Sequence, residues 1–374
     1  MRLPVKKPKA TPMPHGWLNW LRALAATEVL IWHSDLVTKG FSQSTVMTGF
    51  YRHIGAVGVE VFFLLSAYLM CMRAPTYRSG ASFMAIRLAR IAPLYWIFTS
   101  LVVLAYLLNS RWHLGGFSLS VPEILTSYLM LPSAGFPILS VGWTLEYEMI
   151  FYALVAVLAA GSSPGKSREA VLVALVALGL CSFLLPESLV GGGGARATAL
   201  GHAFSPYMLI FASGWLARLV EERREALLHP VLLAWSLALA CLYQVLGHAD
   251  AVQLGARTGA AVLCFLLLRM MREWCEGDGL VHRLGRLLGA ASFSIYLSHW
   301  LVLSAFGKVL QAMSPPELAA WPLRVAGIAA ALGLGLAIYV ALEQPLDRIL
   351  RGRLSRPGTS SVKLLDADPA PNRP

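Results

Sequence analysis

Arg22 and His33 stand eleven residues apart in the apolar run Trp17–His33, a spacing that brings both to one side of a helix. At about 100° per residue the interval makes three turns plus roughly 20°, and it separates them by roughly 16 Å along the axis. Ionisable groups are expensive near the centre of a bilayer and usually face a cavity or a partner. A guanidinium near one surface and an imidazole near the other suit a site that handles an anionic ligand across a membrane. The plainer reading is two buried polar groups that hold helices together. A second pair, Arg87 and Arg90, lies three residues apart on one helical face. Forked guanidiniums bind phosphate oxygens bidentately, so this pair suits a phosphate or pyrophosphate. Ordinary charge at a cytoplasmic helix end would look the same.

Three further stretches keep polar groups among apolar neighbours. After Trp143, the residues Thr144, Glu148 and Tyr152 recur every four positions and form one stripe. Glu148 is the deep carboxylate and needs a partner, such as an arginine or the imidazole. Glu146, about 200° round the helix from it, is expected at the outer interface. Ser292, Tyr296 and His299 share a face by four-then-three spacing, and His299 reads either as packing or as chemistry. Glu60 is expected near the outer start of the second span, either facing His33 or partly in water. Glu28, about 240° from Arg22, needs a partner on another helix, most simply for packing. Glu343-Gln344-Pro345 reads as a helix end.

The elements that must hold these groups are membrane helices. The chain has 374 residues, 57% hydrophobic and 14% charged, with mean hydropathy +0.62, whereas soluble domains carry about 25% charged residues. The expected fold class is all-α: a polytopic membrane protein of about ten transmembrane helices with both termini cytoplasmic. Runs near the roughly 20 residues that a bilayer requires fall at 17–37, 53–72, 91–109, 143–161, 170–186, 201–217, 231–248, 256–272, 289–308 and 321–343. Residues 123–131 are too short and read as re-entrant or interfacial. Arginine and lysine concentrate in alternate loops, at 73–90, 162–169, 218–230 and 273–288 and after Glu343, which sets the orientation by the positive-inside rule. The organisation expected is a basic cytoplasmic N-terminus over 1–16, a transmembrane domain over 17–347, and a disordered cytoplasmic tail over 348–374.

Several classes are disfavoured. The formal charge of +11 is dispersed among short loops, so it speaks for membrane topology and not for nucleic acid. The N-terminus carries no cleavage-site pattern of a removable signal, and no internal repeat stands out. Gly191–Gly194 is a loop tract and not a phosphate cradle, since no strand precedes it. The five cysteines, Cys71, Cys181, Cys241, Cys264 and Cys275, lack metal-type spacing and read as small core hydrophobes. No metal is expected.

Taken in order, these stretches resemble the acyltransferase-3 superfamily of integral membrane acyltransferases. The series is Leu21-Arg22-Ala23 with His33 eleven residues on; Phe62-Phe63-Leu64-Leu65-Ser66; Arg87, Arg90 and Pro93; Trp143-Thr144-Leu145 with Glu148, Phe151 and Tyr152; Ser292, Ser294, Tyr296 and His299; and Glu343 with Pro345. It covers about residues 17–347, and the Trp143–Glu148 segment is similar to that of members that acylate exopolysaccharides. The resemblance implies transfer of an acyl group, usually acetyl, from cytoplasmic acyl-CoA to a hydroxyl of an extracytoplasmic or lipid-linked glycan. Acetyl-CoA would be the donor co-substrate, and the site the bacterial cytoplasmic (inner) membrane. It implies His33 as the catalytic histidine with Glu148 as a site carboxylate, and Arg22, Arg87 and Arg90 at donor-linked positions. Glu60, Trp143, Tyr152 and His299 are assigned to substrate binding. Two departures stand out: Ala67 replaces a usual glycine, and Glu28 replaces a usual apolar residue.

The roughly 16 Å between Arg22 and His33 is of the order of a pantetheine arm. The expected geometry is therefore one polar conduit, with phosphates at the arginines and the thioester at the imidazole. Neutral His33 would take the proton of the acceptor hydroxyl, oriented by Glu148 or Glu60; a transient acyl-histidine is an alternative. A transporter or flippase for a glycan or small anion is the competing class. It predicts inverted halves with broken helices, and no such symmetry is visible.

Overall fold

The computed structural model describes residues 16–42, 57–108, 120–133, 135–161, 167–185, 199–246 and 249–354. The N-terminal segment, Arg52, Arg111, Arg196, the Gly191–Gly194 tract and the tail beyond Leu354 lie outside the described residues. Within them the chain is helical, with no strand. In chain order the helices are α1 (Gly16–His33), α2 (Asp35–Thr38), α3 (Val57–Arg73), α4 (Gly80–Leu108), α5 (Val121–Tyr128), α6 (Trp143–Leu158), α7 (Arg168–Cys181) and α8 (Ala199–Ala203). Then come α9 (Tyr207–Arg224), α10 (Leu228–Leu246), α11 (Ala249–Met270), α12 (Arg272–Cys275), α13 (Leu280–Ala290), α14 (Ser292–Met313), α15 (Ala320–Ile338) and α16 (Gln344–Leu354).

Among the described residues seven stretches are long and apolar enough to cross a membrane: Val57–Thr76, Gly80–Leu108, Ser140–Leu158, Leu200–Leu246, Val252–Met270, Ser292–Met313 and Glu317–Leu350. The protein is a multi-pass membrane protein. A helix runs through the described part of each of the ten expected spans, but seven stretches qualify by length and composition. Asn19, Arg22, Glu28 and His33 dilute the apolar content of α1. The helix α7 has 14 residues. The pair α9 and α10 forms one long stretch, broken by the 3₁₀ turn Glu225–Leu227.

Three boundaries depart from expectation. Pro93 does not open a span; it lies inside the 29-residue α4, which begins at Gly80. Arg87 and Arg90 therefore lie within the helix, on the shared face that their spacing predicts. Glu343 does not end a helix: Tyr339–Glu343 forms a π-helical turn that runs on into α16. The tail is accordingly helical through Leu354, where disorder was expected from residue 348. The short run at 123–131 is the helix Val121–Tyr128, closed at its start by a capping box between Ser120 and Glu123.

The core is built around α3, whose neighbours are α1, α9 and α11. Helices that share a lipid solvent have no hydrophobic drive toward one another and associate through close packing at small residues. Gly214 of α9 is such a contact, because a Cβ there would meet the Leu64 carbonyl oxygen of α3 at 1.9 Å. Beside it Phe63 stacks on Phe211 at 4.6 Å and Phe211 on Phe151 at 4.5 Å. A second cluster, Leu30, Val37, Leu303, Leu310 and Ala331, ties α1 and α2 to α14 and α15. Around the perimeter, Leu104, Leu107, Val173, Leu237 and Val245 are exposed, as lipid-facing side chains are.

One end of the bundle is laced by charge. Arg168 pairs with Glu222 at 2.7 Å, Arg218 with Glu221 at 2.9 Å, Arg269 with Glu225 at 2.6 Å, and Arg223 with Glu169. Glu276 accepts the Gly16 amide at 2.6 Å. These contacts gather the segments around residues 168, 222 and 272 and the start of α1 at one end. Gly214→Val should lower the thermal-unfolding midpoint of the detergent-solubilised protein sharply, at a cost of about 1–3 kcal/mol or more for overpacking. An unchanged midpoint by tryptophan fluorescence would show that α9 does not approach α3 this closely.

Candidate active site

Five helices enclose a cavity of about 150 Å³. The first, α1, contributes Arg22; α3 contributes Phe62, Ser66, Leu69, Met70 and Arg73; α4 contributes Arg87 and Arg90; α6 contributes Thr144, Glu148 and Tyr152; α14 contributes Ser292 and Tyr296. Helical spacing explains the convergence, for Ser66, Leu69 or Met70, and Arg73 follow one stripe of α3, as Thr144, Glu148 and Tyr152 do on α6. Four arginines and one glutamate are the charged groups of this wall. Arg90 is exposed, Arg22 and Arg73 are half-buried, and Arg87 is 5% exposed. The guanidiniums thus run from the surface inward.

Arg87 is the deepest of them. Its Nη2 donates to the Tyr77 hydroxyl at 2.5 Å, and its guanidinium lies 5.8 Å from the Tyr77 ring centroid and 5.9 Å from that of Phe83. Its Nε is a buried donor with no hydrogen-bond partner. An unmet donor on a buried cation costs about 1–3 kcal/mol or more, so the position is poised for an anionic acceptor. Glu148 finds neither an arginine nor the imidazole as its direct partner. It accepts from Ser66 Oγ at 2.6 Å and from the Tyr152 hydroxyl at 2.5 Å, which fixes the Tyr152 ring in the wall.

His33 does not line this cavity. It ends α1 and meets His299 of α14, whose Nε2 is 3.1 Å from His33 Nδ1. His33 Nδ1 also lies 2.9 Å from the Val29 carbonyl oxygen, and the Trp300 ring stands edge-on at 5.0 Å. His299 is buried, with Nδ1 at 2.6 Å from the Tyr296 carbonyl and 3.2 Å from that of Ile295. Between cavity and histidine pair stands Tyr296, which lines the cavity while its ring lies 5.7 Å from His299 and 5.8 Å from Phe62. Its hydroxyl donates to the Val141 carbonyl at 3.0 Å and lies 2.9 Å from Thr144 Oγ1. The single conduit expected from the α1 spacing is therefore divided. Arg22 borders the cavity, His33 the far side of Tyr296.

Other expected residues lie apart from both. Glu60 does not face His33 or water; it is 1% exposed and 3.6 Å from Arg257 of α11. Glu28 accepts the Gly58 amide at 2.6 Å. It thereby places a carboxylate on the α3 N-terminus, where unpaired amides and the helix dipole favour one. Glu146 is buried within the protein, 2.8 Å from His202 and 3.1 Å from Ser133 Oγ. Trp143 packs on Tyr147 and Tyr207 instead of lining the cavity. Glu343 accepts from Ser294 at 2.5 Å. Among the described residues no group of three or more His, Cys, Asp or Glu could hold a metal ion.

Four residues were not singled out from sequence. Arg73 carried a signal, since it stands seven residues after Ser66 on the same face, but it counted as loop charge. Arg257 and His202 are the partners of Glu60 and Glu146 across more than fifty residues, beyond the reach of spacing arguments. Arg324 is buried on α15, donating to Thr38 Oγ1 at 2.7 Å and lying 3.0 Å from Asp35.

Comparison with known proteins identifies the family. Residues 15–340 match the model of a family described as an acyltransferase domain, acyltransferase family 3. The chain is 32% identical over 332 residues to the exopolysaccharide production protein ExoZ of Rhizobium meliloti (strain 1021), covering 83% of this chain and 94% of that protein. No solved structure matches it. With the family model spanning α1 to the π-helical turn, the chain belongs to this acyltransferase family and is a membrane acyltransferase of the O-acetyltransferase type.

Proposed function

We propose that the chain moves an acetyl group from cytoplasmic acetyl-CoA to a glycan hydroxyl on the outer side of a bacterial cytoplasmic membrane, with an exopolysaccharide or its lipid-linked precursor as acceptor. The observation that carries this reading is the cavity whose wall holds four guanidiniums, among them a buried Arg87 with an unmet Nε. Arg73 joins Arg22, Arg87 and Arg90 as a donor-binding residue. The similarity to an exopolysaccharide production protein supports the acceptor class. The reading places ten spans across the membrane with both termini and the ion-pair belt inside, in keeping with the positive-inside bias.

In this mechanism the arginines hold donor phosphates as forked, charge-assisted hydrogen bonds. A cavity of about 150 Å³ takes only part of the donor, and the nucleotide end lies outside its mouth. The arm runs along Leu69 and Phe62 toward Tyr296, and the ring of Tyr296 turns aside to let the thioester reach His33. The free nitrogen of His33 removes the proton of the acceptor hydroxyl as its oxygen attacks the thioester carbonyl. The tetrahedral intermediate collapses with loss of the C–S bond, and the departing thiolate takes the proton back from His33. Glu148 does not orient His33 here. It holds Ser66 and Tyr152 in the donor wall and offsets part of the arginine charge.

The test is incubation of the purified full chain with acetyl-labelled acetyl-CoA and the host polysaccharide fraction. Release of free CoA with label in polysaccharide is expected; label that crosses a vesicle membrane with no CoA released would favour a transporter instead. His33→Ala should cut transfer by about 10²–10⁴-fold, the usual worth of a general base, while donor binding persists. Near-normal turnover would remove His33 from the chemistry. Arg87→Ala combined with Arg90→Ala should raise the donor KM by about 10–100-fold, as expected for lost hydrogen bonds to charge, with a smaller effect on kcat. An unchanged donor KM would place the phosphates elsewhere.

A further inference from the structure

A hydrogen-bond account of the two histidines assigns a proton to each. His299 Nδ1 faces two carbonyl oxygens, of Tyr296 at 2.6 Å and Ile295 at 3.2 Å. A carbonyl only accepts, so this nitrogen carries the hydrogen, and in a neutral ring the other, Nε2, carries the lone pair. That lone pair stands 3.1 Å from His33 Nδ1, which is also 2.9 Å from the Val29 carbonyl oxygen. Two acceptors converge on His33 Nδ1, so it too is an N–H. The lone pair of His33 is then on Nε2 by exclusion. The opposite assignment would press a lone pair against the Val29 carbonyl and require His299 to be doubly protonated inside an apolar helix contact.

We infer that His299 is a positioning residue that locks His33 in the Nδ1–H tautomer and so presents Nε2 as the basic nitrogen. The inference rests on the reading of His33 as the base. A base oriented by a third group is the general form of such devices, but here the third group is a neutral imidazole. Its anchor is the α14 backbone: the Ile295 and Tyr296 carbonyls fix the His299 ring, and the ring fixes His33. As His33 takes the acceptor proton, its Nδ1–H still points at the His299 lone pair and the Val29 carbonyl, at the C-terminal end of α1. Each of these stabilises the imidazolium that forms. The arrangement also limits the proton to His33 Nε2, because no other nitrogen of the pair has a free lone pair.

Three variants of the full chain test this, with acetyl-CoA and the polysaccharide fraction as substrates. His299→Gln keeps an acceptor oxygen near the position of Nε2 and should retain kcat within about 10-fold of the parent. His299→Phe keeps the ring and loses the acceptor; kcat should fall by about 10²-fold or more with the donor KM unchanged, since a mis-set tautomer acts on turnover. Equal losses in the two variants, or a loss confined to KM, would overturn the inference. In ¹⁵N-histidine-labelled wild-type protein, with His33 resonances identified by difference against His33→Gln, the protonated nitrogen of His33 should be Nδ1. Observation of the Nε2–H tautomer would sink the proposal even if the His299 variants misfold. Full activity of His33→Gln would instead sink the base assignment beneath it, so the two failures are separable.

Discussion

A guanidinium inside a bilayer must meet an acceptor, and that requirement organises this molecule. Water cannot supply the acceptor in hydrocarbon, so each buried arginine either finds one in the protein or waits for a ligand. Arg324 takes Thr38 and Asp35, Arg269 takes Glu221 and Glu225, and Arg218 takes Glu221 and Glu222. Arg87 has only the Tyr77 hydroxyl for one of its donors, with Nε unmet. What sets Arg87 apart is that its hydrogen-bond partner is a hydroxyl, whereas Arg324, Arg269 and Arg218 each meet a carboxylate. Where the structure matches charge with charge, the arginine is a brace. Where four arginines share a wall with one carboxylate that is itself tied to hydroxyls, the cavity is lined by an excess of positive charge, which the proposed function assigns to donor phosphates.

That wall depends on α3. Its N-terminus is held by Glu28 at Gly58, its middle is pressed against α9 at Leu64 and Gly214, and its far face presents Phe62, Ser66 and Arg73 to the cavity. Glu28 therefore acts at a distance from the ligand. A carboxylate on the first turn of α3 sets the axial register of the helix, and the register decides whether Ser66 reaches Glu148. The unusual charge at position 28 is explained by packing on a helix terminus and needs no part in the chemistry.

Much of the fold was legible because hydrocarbon imposes a strict rule on composition and length. The Thr144, Glu148 and Tyr152 stripe and the Arg87 and Arg90 pair were legible for a related reason: polar residues at helical spacing within an apolar run have one face to share, and all five line the cavity. What spacing does not carry is the partner. Glu60 and Glu146 were each assigned to water or to the interface because their partners, Arg257 and His202, come from helices far along the chain. The α1 argument erred differently. Arg22 and His33 do share a side of one helix, but a face 16 Å long borders more than one neighbour, and α14 intrudes between them through Tyr296. Same-face geometry on one helix does not establish a shared cavity.

The partition by Tyr296 bears on how such a site can work across a membrane. An open channel from the arginines to His33 would let water reach a bound thioester from the outer face and would let ions follow. Hydrolysis needs only a base and water, and in the proposed mechanism His33 would serve that reaction as readily as transfer. Tyr296 is latched to Val141 and Thr144 and packed between Phe62 and His299, so in the proposed mechanism donor phosphates can be bound on one side while His33 stays out of reach. The latch is weak in energetic terms, since a net hydrogen bond contributes about 0.5–1.5 kcal/mol, so acceptor binding near His33 need supply little free energy to release it. In the proposed reaction the residue whose backbone carbonyl orients His299 also closes the donor cavity with its ring. Movement of Tyr296 would then open the path and leave the histidine pair set, because the carbonyl belongs to the helix and only the side chain turns.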